Sequence, residues 1–271
     1  MKSTFELIHG SITGREHRLI GRNNQDASHL VFDERHLVAV VCDGCGSGLS
    51  SECGARLGAR LVVETLFRHA RQVRVPEELS AAAGERILER TRLDVLAGIR
   101  ILAGNLGPSL SEVVENFFLF TVIGVWLSPT SAIFFALGDG VIEINRERFE
   151  LGPFPNNAPP YLAYSLFETM NERPPLRFQI IKTLPAEELQ SFLLASDGLT
   201  DYLAAERLAV PDREELVGNL DKFYQDDKFY KNPDMLRRHL AIVNRSLTGG
   251  AGGRLADDTT MIVGRRRQEM P

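Results

Sequence analysis

Four aspartates stand at the edges of apolar runs: Asp43 in VAVVCDG, Asp197 in FLLASDG, Asp257 in ADDTTMIV, and Asp26 in GRNNQDASHL ahead of a fourth run. A single carboxylate at a strand end is ordinarily a turn former or a cap. Several together are hard oxygen ligands delivered from separate strand ends, which is what Mg²⁺ or Mn²⁺ requires, with water filling the remaining positions.

The stretch around Asp43, VVCDGCGSGLSSECGA, offers two further chemistries. Cys42 and Cys45 are spaced C-x-x-C, but a structural zinc site needs four ligands, and the chain supplies only Cys53 besides and no H-x-x-x-H. A redox dithiol places its first cysteine at a helix N-terminus, where the dipole lowers the thiol pKa. Cys42 instead ends an apolar run and precedes an aspartate, which raises that pKa, so it reads as a small buried hydrophobe. Gly44, Gly46 and Gly48 sit where a dinucleotide-binding turn would, yet Leu49 occupies the place of the third glycine and Glu64 falls inside a helical pattern.

These residues need strands to carry them. β-Branched and aromatic content predicts strands over 37–42, 117–127, 131–137, 141–144, 178–183, 192–195 and 259–263. Helical spacing covers 50–70, with Ser50-Ser51-Glu52 as N-cap chemistry, then 76–106 with Pro76 in the first turn, and 213–247 as two helices broken near Asn232-Pro233. Ser128-Pro129-Thr130 reads as a hairpin turn. Strands in runs with long helical insertions favour an antiparallel α+β layering. The proline-rich segment 152–175 reads as a surface loop or flap within one domain spanning 1–271, and 249–253 as a short flexible turn.

Composition narrows the classes further. With 271 residues and 44% apolar residues the chain can bury a sizeable core. A net charge of −5 argues against a nucleic-acid or anionic-membrane face, and Arg265, Arg266 and Arg267 open a short basic tail, 265–271, that reads as a solvated terminus. No apolar run approaches the roughly 18 residues needed to cross a bilayer, and MKSTFELIHGS lacks the long apolar segment of a secretory signal. Three cysteines, an odd number, make no disulfide framework, so the expected setting is the cytoplasm.

In order along the chain, Asn24-Gln25-Asp26-Ala27, Val41-Cys42-Asp43-Gly44-Cys45-Gly46-Ser47, Ala136-Leu137-Gly138-Asp139-Gly140, Leu194-Ala195-Ser196-Asp197-Gly198-Leu199-Thr200-Asp201 and Asp257-Asp258-Thr259-Thr260 resemble the motifs of PPM-type (PP2C-like) metal-dependent Ser/Thr protein phosphatases, from residue 10 to 263. The DGxGS form with its following S-E-x-G-A-R is similar to the bacterial branch.

The resemblance implies an αββα sandwich of two antiparallel sheets flanked by helices. It implies a phosphoserine/phosphothreonine phosphatase with two divalent cations, Mg²⁺ or Mn²⁺, whose bridging hydroxide attacks phosphorus. Asp43 matches the bridging carboxylate, Gly44 the carbonyl ligand, Asp197 and Asp257 the other ligands, and Asp26 the acid that holds metal-bound water. The glycines of the Asp43 turn let a backbone oxygen face a metal. Asp201 matches a supporting position behind the ligands, Asp139 a structural turn, and Asp258 points away. The implied partner is a phosphorylated protein opposing a Ser/Thr kinase.

Two positions depart from the pattern. The phosphate-binding arginine of many relatives stands five residues before the Asp26 position, where this chain has Gly21; Arg22 and His17 are the candidate replacements, with Arg15 or Arg18 behind them. The histidine that follows the bridging D-G in eukaryotic relatives is Cys45, a poor general acid as a neutral thiol. Glu115 is the candidate for a third-metal acid. A catalytically weak pseudophosphatase or phosphoprotein-binding module is the alternative reading.

Overall fold

The structure, a computed structural model, describes residues 1, 4–73, 81–167, 176–246 and 252–267. Its strands are β1 (Phe5–Ile12), β2 (Asp26–Phe32), β3 (Leu37–Asp43), β4 (Val122–Leu127), β5 (Ser131–Leu137), β6 (Gly140–Ile144), β7 (Glu147–Leu151), β8 (Gln179–Pro185), β9 (Ser191–Ala195) and β10 (Thr259–Arg266). They form two five-stranded antiparallel sheets, β1-β10-β9-β6-β7 and β2-β3-β4-β5-β8.

The facing sides of the sheets meet on Leu37, Ala39, Val41, Ile123, Val125, Phe134, Phe192, Leu194 and Ile262. On the outer side of the second sheet, α2 (Ser51–Gln72) and α3 (Ala81–Leu106) cover Val38, Val40, Trp126 and Phe135. On the outer side of the first, α5 (Leu199–Ala205), α6 (Asp221–Gln225), α7 (Lys228–Lys231) and α8 (Met235–Val243) cover Ile8, Leu193, Met261 and Val263. Strands such as β3, β4 and β5 are therefore buried on both faces, which is why they read as unbroken apolar runs rather than as alternation. The short helices α1 (Arg15–Leu19) and α4 (Leu110–Val113) lie in connections. The αββα expectation holds.

Several boundaries differ from the sequence reading. Residues 117–127 are a strand only from Val122; before it, Val114–Phe118 is a π-helix. Phe118 and Phe120 are apolar because they are buried, at 1% and 0% exposed, and apolar content alone does not separate a buried turn from a strand. This detour lets Cys45 N donate to Leu119 O and Thr121 N to Asp43 O, so the π-helical connection props the Asp43 turn. Among its described residues, 213–246, the segment 213–247 holds three short helices rather than two, with an extra break at Asp226-Asp227 besides the one at Asn232-Pro233. Ser50 is the N-cap of α2 but its side chain caps nothing; Ser51 Oγ accepts from Gln25 Nε2 instead.

The basic tail begins inside β10. Arg265 bonds Glu6 and Asp227, at 2.9 and 2.6 Å, and Arg266 donates to Leu189 O at 2.9 Å, so both are strand residues with partners. Pro76, residues 168–175 of the flap, 249–251 of the glycine turn and 268–271 of the tail lie outside the described residues.

Candidate active site

The four aspartates converge at one end of the sandwich. Asp26 and Asp43 are Cα partners at the end of the β2–β3 ladder. Asp197 stands two residues after the end of β9 and Asp257 two residues before the start of β10, and these strands pair in the other sheet. Ser196 welds the two halves: its N–H donates to Thr260 O at 3.0 Å, its Oγ accepts from Thr260 N at 3.1 Å, and its hydroxyl donates to Asp26 Oδ2 at 2.6 Å. Gly198 is required next to this joint, because a Cβ there would lie 1.9 Å from Asp258 O.

A cleft of about 530 Å³ opens above the cluster. Asp43, Asp139, Asp197 and Asp257 line it together with Gln25, Gly44, Thr121 and His17. Asn156, Ala158, Pro159, Tyr161 and Tyr164, from the described part of the proline-rich segment, line it as well, as do Cys45, Gly46 and Ser47. Asp26, only 4% exposed, lies beneath.

The electrostatics are those of carboxylates gathered without a cationic side chain among them. Burial first, then the charges of Asp26, Asp197 and Asp257, push the Asp43 carboxyl far above the usual carboxylate range. Burial likewise raises Asp26 to about 8, against the Ser196 hydrogen bond that lowers it, with Asp258, Asp197 and Asp257 adding to the rise. Asp139 and Asp257 are both raised to about 6, by burial and then by Asp197. Among the described residues, no lysine or arginine lines the cleft to relieve this repulsion. Asp26 Oδ1, Asp197 Oδ1 and Gln25 Oε1 are buried with no hydrogen-bond partner, and no described residue donates to the Gly44 carbonyl. Buried acceptors are ordinarily paired, so a row of orphaned oxygens at an acidic cleft is the donor set of a hard cation.

The turn glycines act differently from the expectation. Gly44, Gly46 and Gly48 are not among the positive-φ residues, so no left-handed turn presents the Gly44 carbonyl. Left-handed backbone occurs instead at Gly138 and Gly140, with φ of 106° and 136°, and that turn aims Asp139 at the cleft. Asp139, read from sequence as a structural turn, is a fifth carboxylate of the site; the G-D-G signal was present, but its direction depends on the turn. Glu115 sits exposed on the π-helix and is not part of the cleft wall.

Arg22 does not reach the cleft wall: its guanidinium donates to Gly46 O at 2.5 Å and Gly48 O at 3.1 Å, so its charge is spent on clamping the loop after Asp43. Arg15 and Arg18 are likewise occupied, with Gly253 O and Asn244 O. His17, carried on α1, does line the cleft, and its Nδ1 lies 2.9 Å from Asp258 Oδ2. Asp258 is 2% exposed and does not line the cleft; it accepts from Gly14 N at 2.7 Å and Gln25 N at 2.6 Å, so it locks the segments entering α1 and β2. That bracing had no signal in the sequence. Asp201 Oδ2 accepts from Ala256 N at 2.7 Å and Asp257 N at 3.0 Å, which places it behind Asp257.

Cys42 is fully buried and its thiol is pushed well up by burial, then by Asp43 and Asp26. Cys45 differs. Burial alone would raise its pKa, but hydrogen bonds from Ser47, Tyr161 and the backbone of Ser47 and Gly48 outweigh it and leave the thiol lowered; Sγ lies 3.1 Å from Ser47 Oγ.

A family profile described as protein phosphatase 2C matches residues 13–231. No curated protein sequence matches the chain. Among solved structures, the serine/threonine phosphatase Stp1 from Staphylococcus aureus superposes with a TM-score of 0.58 at 16% identity, covering 97% of this chain and 96% of that one. PppA, a regulatory component of the type VI secretion system in Pseudomonas aeruginosa, gives 0.54 at 20% identity over 98% and 99%. RsbX in complex with magnesium gives 0.50 at 15% identity over 97% and 96%. At such identities the superpositions speak for the αββα fold.

Proposed function

This chain belongs to the protein phosphatase 2C family, and from that premise we propose that it hydrolyses phosphoserine and phosphothreonine esters of proteins, using two divalent cations held by Asp43, Gly44, Asp197 and Asp257. The observation that carries the reading is the set of orphaned buried oxygens, on Asp26, Asp197 and Gln25, around carboxylates that repel one another with no cationic side chain between them. Such a cluster fits divalent cations of the Mg²⁺ or Mn²⁺ kind, and RsbX carries magnesium on the same fold. Bound there, divalent cations would supply positive charge for the phosphate oxygens and would lower the pKa of water at the site.

The protein's own residues do the rest. Asp43 and Asp197 enter from different sheets, so both sheets must be docked for the ligand set to exist. Asp26, anchored by Ser196, is the buried base that orients the attacking water. Asp201 holds the backbone that presents Asp257. His17, the one lining side chain able to carry positive charge among the described residues, takes the phosphate-contact role in place of the missing arginine. The flap wall of Pro159, Tyr161 and Tyr164 receives the substrate chain. No helix among the described residues is long and apolar enough to cross a membrane. The reading takes residues 1–271 as one domain, β1 and β10 closing it by pairing from Phe5↔Arg266 to Ile12↔Thr259. It also takes a cytoplasmic setting, in keeping with three unpaired cysteines, and an opposing Ser/Thr kinase.

The test is hydrolysis of a phosphothreonine peptide and of para-nitrophenyl phosphate with and without Mn²⁺ or Mg²⁺. Metal-dependent turnover lost by at least about 100-fold in Asp43→Asn and in Asp197→Asn is expected. Full activity in Asp43→Asn would sink the mechanism. Tight binding of the phosphopeptide at saturating Mn²⁺ without phosphate release would move the protein to the phosphoprotein-binding alternative.

A further inference from the structure

Outside the cleft, α2 carries a stripe of exposed arginines. Arg56, Arg60, Glu64 and Arg68 follow one another at the four-residue spacing that stacks side chains on one helix face, and Arg71 extends the row. In a chain of net charge −5 this concentration of positive charge stands out. Intramolecular acids scarcely use it: among the described residues Arg56 and Arg60 have no ion pair or hydrogen bond, Arg68 reaches only Thr65 Oγ1 at 3.4 Å, and Arg71 only Asp33 at 3.5 Å.

Two clefts follow the stripe. One, of about 680 Å³, is lined by Arg60, Arg68 and Arg71 over an apolar floor of Val31, Leu61 and Phe67. The other, of about 360 Å³, is lined by Arg56, Arg237, Ala27 and Ser28 but also by the acids Asp26 and Asp234, so the first cleft is the one suited to an acidic ligand. Both run beside β2, which is the edge strand of its sheet. An edge strand presents unpaired main-chain groups, the template on which an extended peptide adds.

We propose that this edge and the α2 arginines dock an acidic segment of another protein, bound in extended form along β2, with its carboxylates against Arg60 and Arg68 and its alternate apolar side chains on Val31, Leu61 and Phe67. Charge complementarity selects the acid, and the edge strand with its apolar floor selects a polypeptide. A nucleic-acid backbone needs an unbroken positive track, which Glu64 interrupts at the centre of the stripe. Docking here requires no catalysis, so it stands or falls apart from the phosphatase reading.

The experiment is fluorescence anisotropy of the full chain with a short fluorescein-labelled peptide in which glutamate alternates with valine. Saturable binding is expected, weakened by added salt and by about tenfold or more in Arg60→Glu/Arg68→Glu, retained in Arg60→Lys/Arg68→Lys, and absent for the same peptide with glutamine in place of glutamate. A thermal melting midpoint unchanged in all variants reports that the fold is intact, whether or not the chain hydrolyses phosphate esters. Binding that persists in the charge-reversed variant, or equal binding of the glutamine peptide, overturns the proposal. Equal binding of oligothymidylate with the same loss on charge reversal also overturns it, in favour of an unselective anion stripe.

Discussion

Asp26 and Asp43 face each other as the terminal pair of the β2–β3 ladder, and Ser196, from the opposite sheet, donates to Asp26 Oδ2 at 2.6 Å. Two carboxylates so placed repel each other when both are ionised, and burial sharpens the repulsion.

Without metal, therefore, the fold is expected to weaken as pH rises. The folded-state pKa of Asp26 is raised to about 8, and those of Asp139 and Asp257 to about 6. The native state thus binds more protons than the unfolded chain between about pH 4 and about pH 8. The associated stability is present at the acid end of that window and is lost as pH climbs through the folded pKa values. Thermal melting of the chelator-treated protein across this range should show a falling midpoint, restored by Mn²⁺ and flattened in Asp26→Asn. A midpoint that rises toward pH 8 would contradict the site as described.

Asp201→Ala should loosen the backbone behind Asp257, since Asp201 Oδ2 holds the N–H groups of both Ala256 and Asp257. Metal affinity is expected to fall by about 10- to 100-fold, read by calorimetric titration, with kcat at saturating metal much less affected.

His17→Ala should raise the KM for a phosphothreonine peptide by about tenfold while changing kcat less, because a contact to a charged group is lost on binding. An unchanged KM would remove His17 from phosphate recognition and leave its pairing with Asp258 as bracing.

A second pH effect arises far from the cleft. His239 Nε2 lies 2.8 Å from Lys222 Nζ, and burial, followed by the charges of Lys222, Lys228 and Arg213, lowers the His239 pKa to about 3. A depressed histidine leaves the unfolded chain binding the extra proton, so stability is lost as pH falls from about 6.5 toward about 3. His239→Phe, which fits the ring cluster of Tyr202, Phe223 and Phe229, should reduce that acid sensitivity in denaturant titrations.

Much of this architecture could be read from the residues, for identifiable reasons. The central strands β3, β4 and β5 are buried on both faces and announce themselves by unbroken β-branched and aromatic runs. The edge strands β2 and β7, and β1 with its half-exposed pattern, carry weaker signals and were not delimited by sequence. The π-helix ahead of β4 hid among buried phenylalanines, because burial, not strand geometry, made that segment apolar. At the site, Asp43, Asp197, Asp257 and Asp26 were legible from their places at strand ends. Arg22 illustrates the opposite case: its position beside the motif suggested phosphate, and the carbonyls of Gly46 and Gly48 claimed its guanidinium.

By itself the sequence determined which residue types stand at the strand ends, and hence that hard-cation chemistry is available, since strand periodicity and ligand hardness are local properties. Only the tertiary structure decided direction and company. Docking two sheets brought Asp26 and Asp43 within reach of Ser196, Asp197 and Asp257, the left-handed glycines of the β5–β6 turn aimed Asp139 at the cleft, and α1 set His17 on its wall. Where a side chain points depends on backbone turns and on competing acceptors contributed by residues far away in the chain, and no local reading of spacing contains those acceptors.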